Sequence, residues 1–452
     1  MSRPVFGICV AALLGATLLL NLSYVVRSGD GLTPFNDAYS EAGVIRAGER
    51  FARDGFLVDN GLADLSYGDK YPGIGIDGPS GSRPDDPIYQ GYPPGPEWLG
   101  GLYTRWLGPD HVRLYRLFPV GLAVIAAGVF LIGCAGPVGR MRTLFVFIAC
   151  LMTPMFTRLP HGLHYQGYAL SLLMIQAMLV IRIFGRRGQG QANSRALLGF
   201  FVLGFFQGWL SFDFCFLVTF MAFPLAMAAT PRARPIYWRS VLFVCAATGL
   251  GFVFAHGLHF LQSVLYMGGV REALEEFAFR SKKMYNTKAL FEGRSRIEII
   301  DLGLWSYLRA YLRWNDCFSM AGEVLLAALG VAMIVTRIKF AVGPWRLEAI
   351  IRRPSTRDLV ALGTAVLVGL AWFFAKPAHA LNHLHLMIVH LFLFYLTCSL
   401  VFARSISMLR CRRRGVRDHG REPEELNASD TQIPLADNPA MAMLARKTSP
   451  NV

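Results

Sequence analysis

The chain has 452 residues, of which 54% are apolar and 17% are charged, and its mean hydropathy is +0.39. A soluble domain usually carries about 25% charged residues, so this composition argues against an ordinary cytosolic enzyme. Lys and Arg (45) outnumber Asp and Glu (30), and the net charge of +15 indicates basic cytoplasmic loops of a membrane protein and not a nucleic-acid partner.

Ten apolar stretches follow one another along the chain. They cover residues 4–26, 116–135, 143–158, 164–183, 197–212, 214–230, 241–265, 319–337, 358–375 and 385–404. Several are shorter than the ~20 residues of a full crossing, so they must extend into their flanks. The fifth and sixth are separated at Asp213, although residues 197–230 also fit one long helix and a stub. The sequence therefore predicts an all-α polytopic membrane protein of about ten spans.

The basic residues between the spans fall on alternate connections. Arg140 and Arg232 belong to the basic set, whereas the short connections of the other set hold only Arg158 and Lys376. The positive-inside rule then places both termini in the cytoplasm and predicts a multi-pass protein of the inner (plasma) membrane.

The same topology divides the chain into a transmembrane domain and a tail. The domain covers residues 1–404, and its two long connections, 27–115 and 266–318, lie outside the cell. The tail, residues 405–452, is basic where it leaves the membrane, which suits contact with membrane lipids, and is then polar enough to be disordered.

The first outer connection begins with a predicted helix over about residues 37–55. Its apolar positions recur with a helical period, and Gly55 is a suitable C-terminal stop. Asp37 and Glu41 are four residues apart and so share one face. The local pattern alone favours an N-capping Asp37 and a solvated Glu41.

A second helix is predicted at the end of the same connection. Residues 56–91 are rich in Gly, Pro and Asp and are typical of an irregular loop. Tyr92-Pro93-Pro94 is a stiff entry into an amphipathic interfacial helix over about residues 93–107, which Gly108 ends.

This order of features resembles the opening of the GT-C-fold glycosyltransferases, specifically the protein O-mannosyltransferase and aminoarabinose transferase superfamily. In that group the first loop reads roughly Asp-Glu-x-x-Tyr, then Lys-Pro-Pro-Leu, then Gly, then Arg-Leu. Here Asp37 matches the acidic position but is followed by Ala38, and Tyr92-Pro93-Pro94-Gly95 replaces Lys-Pro-Pro-Leu. Gly108 and Arg116-Leu117 match. The motif resemblance covers roughly residues 34–135.

The resemblance implies a sugar donor linked to polyprenyl phosphate and a lipid, glycan or protein acceptor on the outer side. Asp37 is then the general base that deprotonates the acceptor hydroxyl, and Tyr92 and Pro93 shape the sugar site. Glu41 is a candidate substitute for the Glu that is missing after Asp37. Relatives often carry an acidic residue at the start of the fourth span, and the segment 158–165 has none, which puts that acid's role, metal binding included, in doubt.

Histidines concentrate at the predicted outer ends of the spans. They are His161, His164, His256, His259, His379, His383 and His385, with His390 somewhat deeper. Because polar groups at membrane depth usually face a cavity, this distribution predicts a polar chamber. Three interpretations stay open: contacts to sugar or phosphate, a divalent metal site, and hydrogen bonds at the headgroup level.

Basic residues on the outer side are candidates to stabilise the departing phosphate. Lys282 and Lys283 lie in a basic cluster of the second outer connection, and Arg116 and Arg158 lie near the ends of spans. The alternative is a solvated basic surface. Asp213 and Glu323, near span ends, have no assigned role.

Two other classes of protein share parts of this pattern. A transporter or flippase of lipid-linked saccharides would also have a polar chamber, but it needs access from both sides. A polysaccharide polymerase or ligase also uses polyprenyl donors, but it typically has its large outer loop late in the chain.

Overall fold

Helices make up most of the chain that the computed structural model describes. The described residues are 1–32, 38–64, 88–89, 92–151, 160–185, 191–285, 355–375 and 389–406. Four helices in these ranges are long and apolar enough to cross a membrane, namely Arg3–Ser28, Val112–Ala135, Tyr165–Gly185 and Trp238–Met267. The hydrocarbon core needs about 20 helical residues at 1.5 Å per residue. This agrees with the predicted all-α membrane class, while the count of ten spans stays a prediction.

The helices are numbered in chain order over the described residues, and some of them lie in the connections between the apolar stretches. The first are α1 (Arg3–Ser28), α2 (Ala38–Asp54), α3 (Gly95–Leu107), α4 (Val112–Tyr115), α5 (Leu117–Ala135), α6 (Arg140–Leu151) and α7 (Tyr165–Gly185). The others are α8 (Ser194–Leu210), α9 (Cys215–Phe220), α10 (Ala222–Ala229), α11 (Trp238–Met267), α12 (Val270–Tyr285), α13 (Thr356–Ala375) and α14 (Phe392–Ile406). The predicted span over residues 319–337 lies outside the described residues.

The segment after α2 has more structure than the predicted irregular loop. Val58–Gly61 forms a 3-10 turn, and Ala63–Asp64 (β1) pairs antiparallel with Ile88–Tyr89 (β2). The Nε1 of Trp98, in α3, donates a hydrogen bond to the carbonyl of Gly61 at 3.0 Å. The turn and the ladder therefore correct the prediction locally and tie the loop to α3.

The helical run is interrupted between α8 and α9, as predicted from Asp213. Ser211 has extended backbone and closes α8. The backbone N–H of Asp213 donates to Ser211 Oγ, and this hydroxyl donates to the Asp213 carboxylate, both at 3.1 Å. Such local side-chain bonds compete with helix continuation, which explains why a break occurs in an apolar stretch.

Helices α2 and α3 pack closely through glycines. A Cβ on Gly48 would lie 2.6 Å from the backbone of Gly100, so neither helix tolerates a side chain at the crossing. Each helix ends where predicted: Gly55 has φ +96 and Gly108 has φ +87, and each donates its N–H to a carbonyl in the last turn. Both φ values are positive, and glycine adopts such a backbone at little cost because it has no Cβ.

Glycines also set the contact between α8 and α11. Gly204 faces the carbonyl of Thr248, and a Cβ on Gly208 would lie 2.8 Å from the carbonyl of Phe252. Gly251 of α11 in turn faces the backbone of Phe201. Small residues spaced in this way let apolar helices approach backbone to backbone, as at helix contacts within membranes.

Substituting Gly204 by Ala is expected to destabilise the protein by about 3 kcal/mol, because the new Cβ would collide with a backbone carbonyl that cannot rotate away. The same change at Gly199, also in α8, meets nothing within 4 Å and is expected to be neutral or stabilising, since Ala favours helix over Gly. Thermal unfolding of the two detergent-purified variants measures this difference. Equal melting temperatures would show that the α8–α11 contact tolerates a methyl group.

The connections gather at two ends of the helices. At one end, which we call the basic end (residues 137–140, 185, 229–238 and 355–358), Arg357 and Arg404 each donate to the carbonyl of Thr230, at 3.0 and 2.8 Å. These guanidinium groups cap the C-terminus of α10, where carbonyls lack helical partners. Arg232 pairs with Asp358 at 2.5 Å.

Candidate active site

A buried ion pair joins α2 to the residue that precedes α5. Both Nη atoms of Arg116 donate to the carboxylate of Glu41, the Nη2–Oε2 distance being 3.0 Å, and both side chains are 0% exposed. Arg116 Nη2 also donates to the carbonyl of Gly31 at 2.6 Å, and Glu41 accepts the N–H of Leu163 at 3.3 Å. The local expectation of a solvated Glu41 is therefore wrong. The pair links four separate segments, at residues 31, 41, 116 and 163. These segments lie at the end of the helices opposite the basic end, and we call this end the loop end.

The ion pair also bears on two predicted substrate contacts. Glu41 and Arg116 neutralise each other, so a phosphate that used Arg116 would compete with a bidentate carboxylate. What the pair does is hold the first turn of α2, which begins at Ala38. Asp37 directly precedes that turn and lies outside the described residues, so its catalytic role stays a prediction.

Two of the predicted histidines lie next to this pair. His161 is buried and stacks on Tyr24, with ring centroids 4.9 Å apart, and its carbonyl is 3.5 Å from Arg116 Nη1. His164 is 1% exposed, and its Nδ1 accepts the backbone N–H of Gln166 at 3.3 Å. Histidines placed at the headgroup level only to reach water would be exposed, so for these two that interpretation does not hold.

A second polar group at the loop end is formed by residues far apart in sequence. We call Tyr92, Phe212, Asp213, Phe214, Trp372 and His390 the Asp213 cluster. The hydroxyl of Tyr92 donates to Asp213 Oδ1 at 3.4 Å, and the Tyr92 ring lies 5.6 Å from that of Phe212. Asp213 lies at the predicted separation between the fifth and sixth apolar stretches, and its side chain is 0% exposed.

Aromatic rings surround the buried end of this cluster. Trp372 lies edge-on to Phe212 with centroids 4.9 Å apart and parallel to His390 at 6.3 Å. Phe214 lies 5.6 Å from His390. Tyr92 is also stacked on Tyr165, so rings from α7, from α13, from the residues just before α14 and from the entry to α3 meet here.

Glu97, in the first turn of α3, is a candidate that sequence reasoning missed. It follows the buried Pro93 and Pro94 and lies one turn before Gly100 and Gly101, where α3 packs against α2. Burial raises the pKa of its carboxyl to about 7, because the charged form loses solvation. A pKa near neutrality is what a general acid or base requires. The signal available in the sequence was a lone carboxylate at the N-terminus of an apolar helix.

The raised pKa of Glu97 predicts a pH dependence of stability. Between its ordinary pKa of 4.5 and about 7, the folded protein binds more protons than the unfolded chain, so stability falls as pH rises through this window. Glu97→Gln is expected to melt like wild type at pH 4 and several degrees higher at pH 8. Differential scanning measurements at the two pH values test this. A higher melting temperature of wild type than of Glu97→Gln at pH 8 would contradict this prediction, because the fold would then stabilise the ionised carboxylate.

The remaining predicted site residues are only partly described. Lys282 and Lys283 lie in the last turn of α12, but their side chains are outside the described part of the structure. Arg158, His383 and His385 lie outside the described residues altogether. The described ranges contain no group of three metal-binding side chains. The histidines invoked for a divalent metal include His379, His383 and His385, so that possibility is untested.

Comparison of the chain with protein-family models, with curated proteins and with solved structures gave no match.

Proposed function

We propose that the protein is a membrane glycosyltransferase that moves a sugar from a polyprenyl-phosphate donor to a lipid, glycan or protein acceptor outside the cell. One observation carries most weight: Tyr92, at the entry to α3, contacts Asp213 at the α8–α9 break. This contact brings the first long connection onto a buried, aromatic and acidic cluster at the loop end. An enzyme acting on a lipid-borne sugar needs a polar site of this kind at the edge of its spans.

The proposed chemistry is a single displacement at the anomeric carbon. Asp37 takes the proton of the acceptor hydroxyl while that oxygen bonds to the anomeric carbon, and the bond to the phosphate oxygen breaks with its electron pair. Lys282, Lys283 and Arg158 are the proposed cations for the departing phosphate. Arg116 acts on Asp37 indirectly, through Glu41 and the first turn of α2.

The proposed topology follows from the charge pattern. The basic end, with Arg232, Arg357 and Arg404, lies in the cytoplasm with both termini, and the loop end lies outside. The protein then resides in the plasma membrane as a GT-C-like fold.

Reconstitution tests the proposal directly. Purified protein in liposomes is given radiolabelled hexose or pentose on undecaprenyl phosphate, with solubilised cell-envelope material as acceptor, with and without EDTA. Transfer of label to acceptor together with release of undecaprenyl phosphate supports the enzyme. Movement of the intact donor between leaflets without transfer would instead identify a flippase.

A further inference from the structure

The Asp213 cluster has a buried floor and a more open rim. Asp213, Phe214 and His390 are 0% exposed and Trp372 is 1% exposed. Tyr92 and Phe212 are only half-buried, as is His256, whose ring is 6.0 Å from that of Phe212. A ligand entering from the loop end would therefore meet the rim rings first and the carboxylate beneath them.

His390 supplies an independent indication of a ligand. Both of its ring nitrogens are buried, and neither has a hydrogen-bond partner among the described residues. Leaving a buried polar side chain without a partner is costly, so such groups in native proteins usually serve a ligand or a function. His390 lies between Trp372 and Phe214, so a ligand group that bonds to its ring nitrogens would lie within the cluster.

The contact between Tyr92 and Asp213 is weak enough to be replaced. Its O–O distance of 3.4 Å exceeds the about 2.5–3.0 Å of an ordinary O–H···O bond. A hydroxyl of a bound ligand could approach Asp213 more closely than the phenol does. A phosphodiester group could not take this place, because its oxygens carry no proton to donate to the carboxylate.

We propose that the Asp213 cluster is the subsite for the neutral sugar ring of the donor, an assignment that rests on the proposed function. Asp213 accepts hydrogen bonds from sugar hydroxyls, His390 exchanges hydrogen bonds with another, and the faces of Tyr92 and Trp372 cover the C–H surface of the ring. The phosphate lies away from Asp213. Asp213 is then a specificity-determining residue that distinguishes the glycosylated lipid from bare polyprenyl phosphate.

Binding of two probes tests this subsite. The affinities of undecaprenyl-phosphate mannose or glucose and of bare undecaprenyl phosphate are measured on the detergent-solubilised full chain. Wild type is expected to bind one of the glycosylated lipids about tenfold or more tighter than bare undecaprenyl phosphate. Hydrogen bonds from hydroxyls to a charged group have an effect of this size. Asp213→Asn should reduce the preference to about one, and Tyr92→Phe, which retains the ring, should reduce it less. Asp110→Asn, an exposed change, should leave it intact.

The outcomes separate the subsite from the enzyme. Where transfer occurs, Asp213→Asn is expected to raise KM more than it lowers kcat. An unchanged binding preference in folded Asp213→Asn protein, as judged by gel filtration, overturns the subsite even if transfer is normal. Lost preference in the variant with no transfer by wild type overturns the proposed function and retains the subsite; His390→Phe gives a second variant if Asp213→Asn fails to fold.

Discussion

Asp37→Asn is expected to lower sugar transfer by about a thousandfold while leaving donor affinity nearly unchanged, because asparagine retains the shape of aspartate but cannot accept the acceptor's proton. The measurement is the initial rate with a labelled polyprenyl-phosphate sugar, together with donor binding under the same conditions.

A matched control separates this effect from a general effect of removing a charge. Asp110→Asn removes an exposed carboxylate next to α4 and is expected to retain wild-type turnover. Full turnover by Asp37→Asn would remove this residue from the mechanism. A rate lost in both variants would point to the net charge of the connection and not to one base.

Arg116→Met is expected to cost about 3–5 kcal/mol of unfolding free energy, because it leaves Glu41 as a buried charge without its bidentate partner. The double variant Glu41→Gln with Arg116→Met should recover most of that loss, since no charge then remains to be compensated. Denaturant unfolding of the detergent-purified variants measures both effects.

The control for the buried Glu41–Arg116 ion pair is an ion pair on the protein surface. Arg53 pairs with Asp54 at 2.8 Å, but its side chain is 72% exposed, so Arg53→Met should leave the free energy of unfolding nearly unchanged. If the double variant were as unstable as Arg116→Met alone, the loss would come from packing around the guanidinium and not from the unpaired carboxylate.

The local features of the fold were predictable because their causes are local. A helical period followed by a glycine predicts the α2 end at Gly55, and the double proline with Gly108 brackets α3. Asp213 within an apolar stretch predicts the break after α8, where its backbone N–H donates to Ser211 Oγ and its carboxylate accepts from the same hydroxyl. None of these inferences needs a contact between distant residues.

The partners of the polar side chains were not predictable, because they depend on how the helices pack. Glu41 and Arg116 are 75 residues apart, and either could have been solvated or bound to phosphate on the sequence alone. Tyr92 and Asp213 are 121 residues apart. The chamber predicted from histidine positions stays a prediction, and Trp372, which lies parallel to His390, was not singled out by the sequence.

The raised pKa of Glu97 shows the same limit. Its residue type and its helix position were visible in the sequence, whereas its burial depends on the packing of α3. A carboxylate at a helix N-terminus is ordinarily stabilised in its charged form, so the local argument gives the opposite sign.

Photo-crosslinking is the most direct measurement of where the donor binds. An undecaprenyl-phosphate sugar with a diazirine on the isoprenoid unit nearest the phosphate is irradiated with the reconstituted protein, and labelled peptides are mapped. Label is expected at the loop end, in residues 92–107 of the interfacial helix and its entry, and should be displaced by unlabelled donor. Displaceable label confined to the basic end, in residues 231–238 and 355–358, would contradict the account.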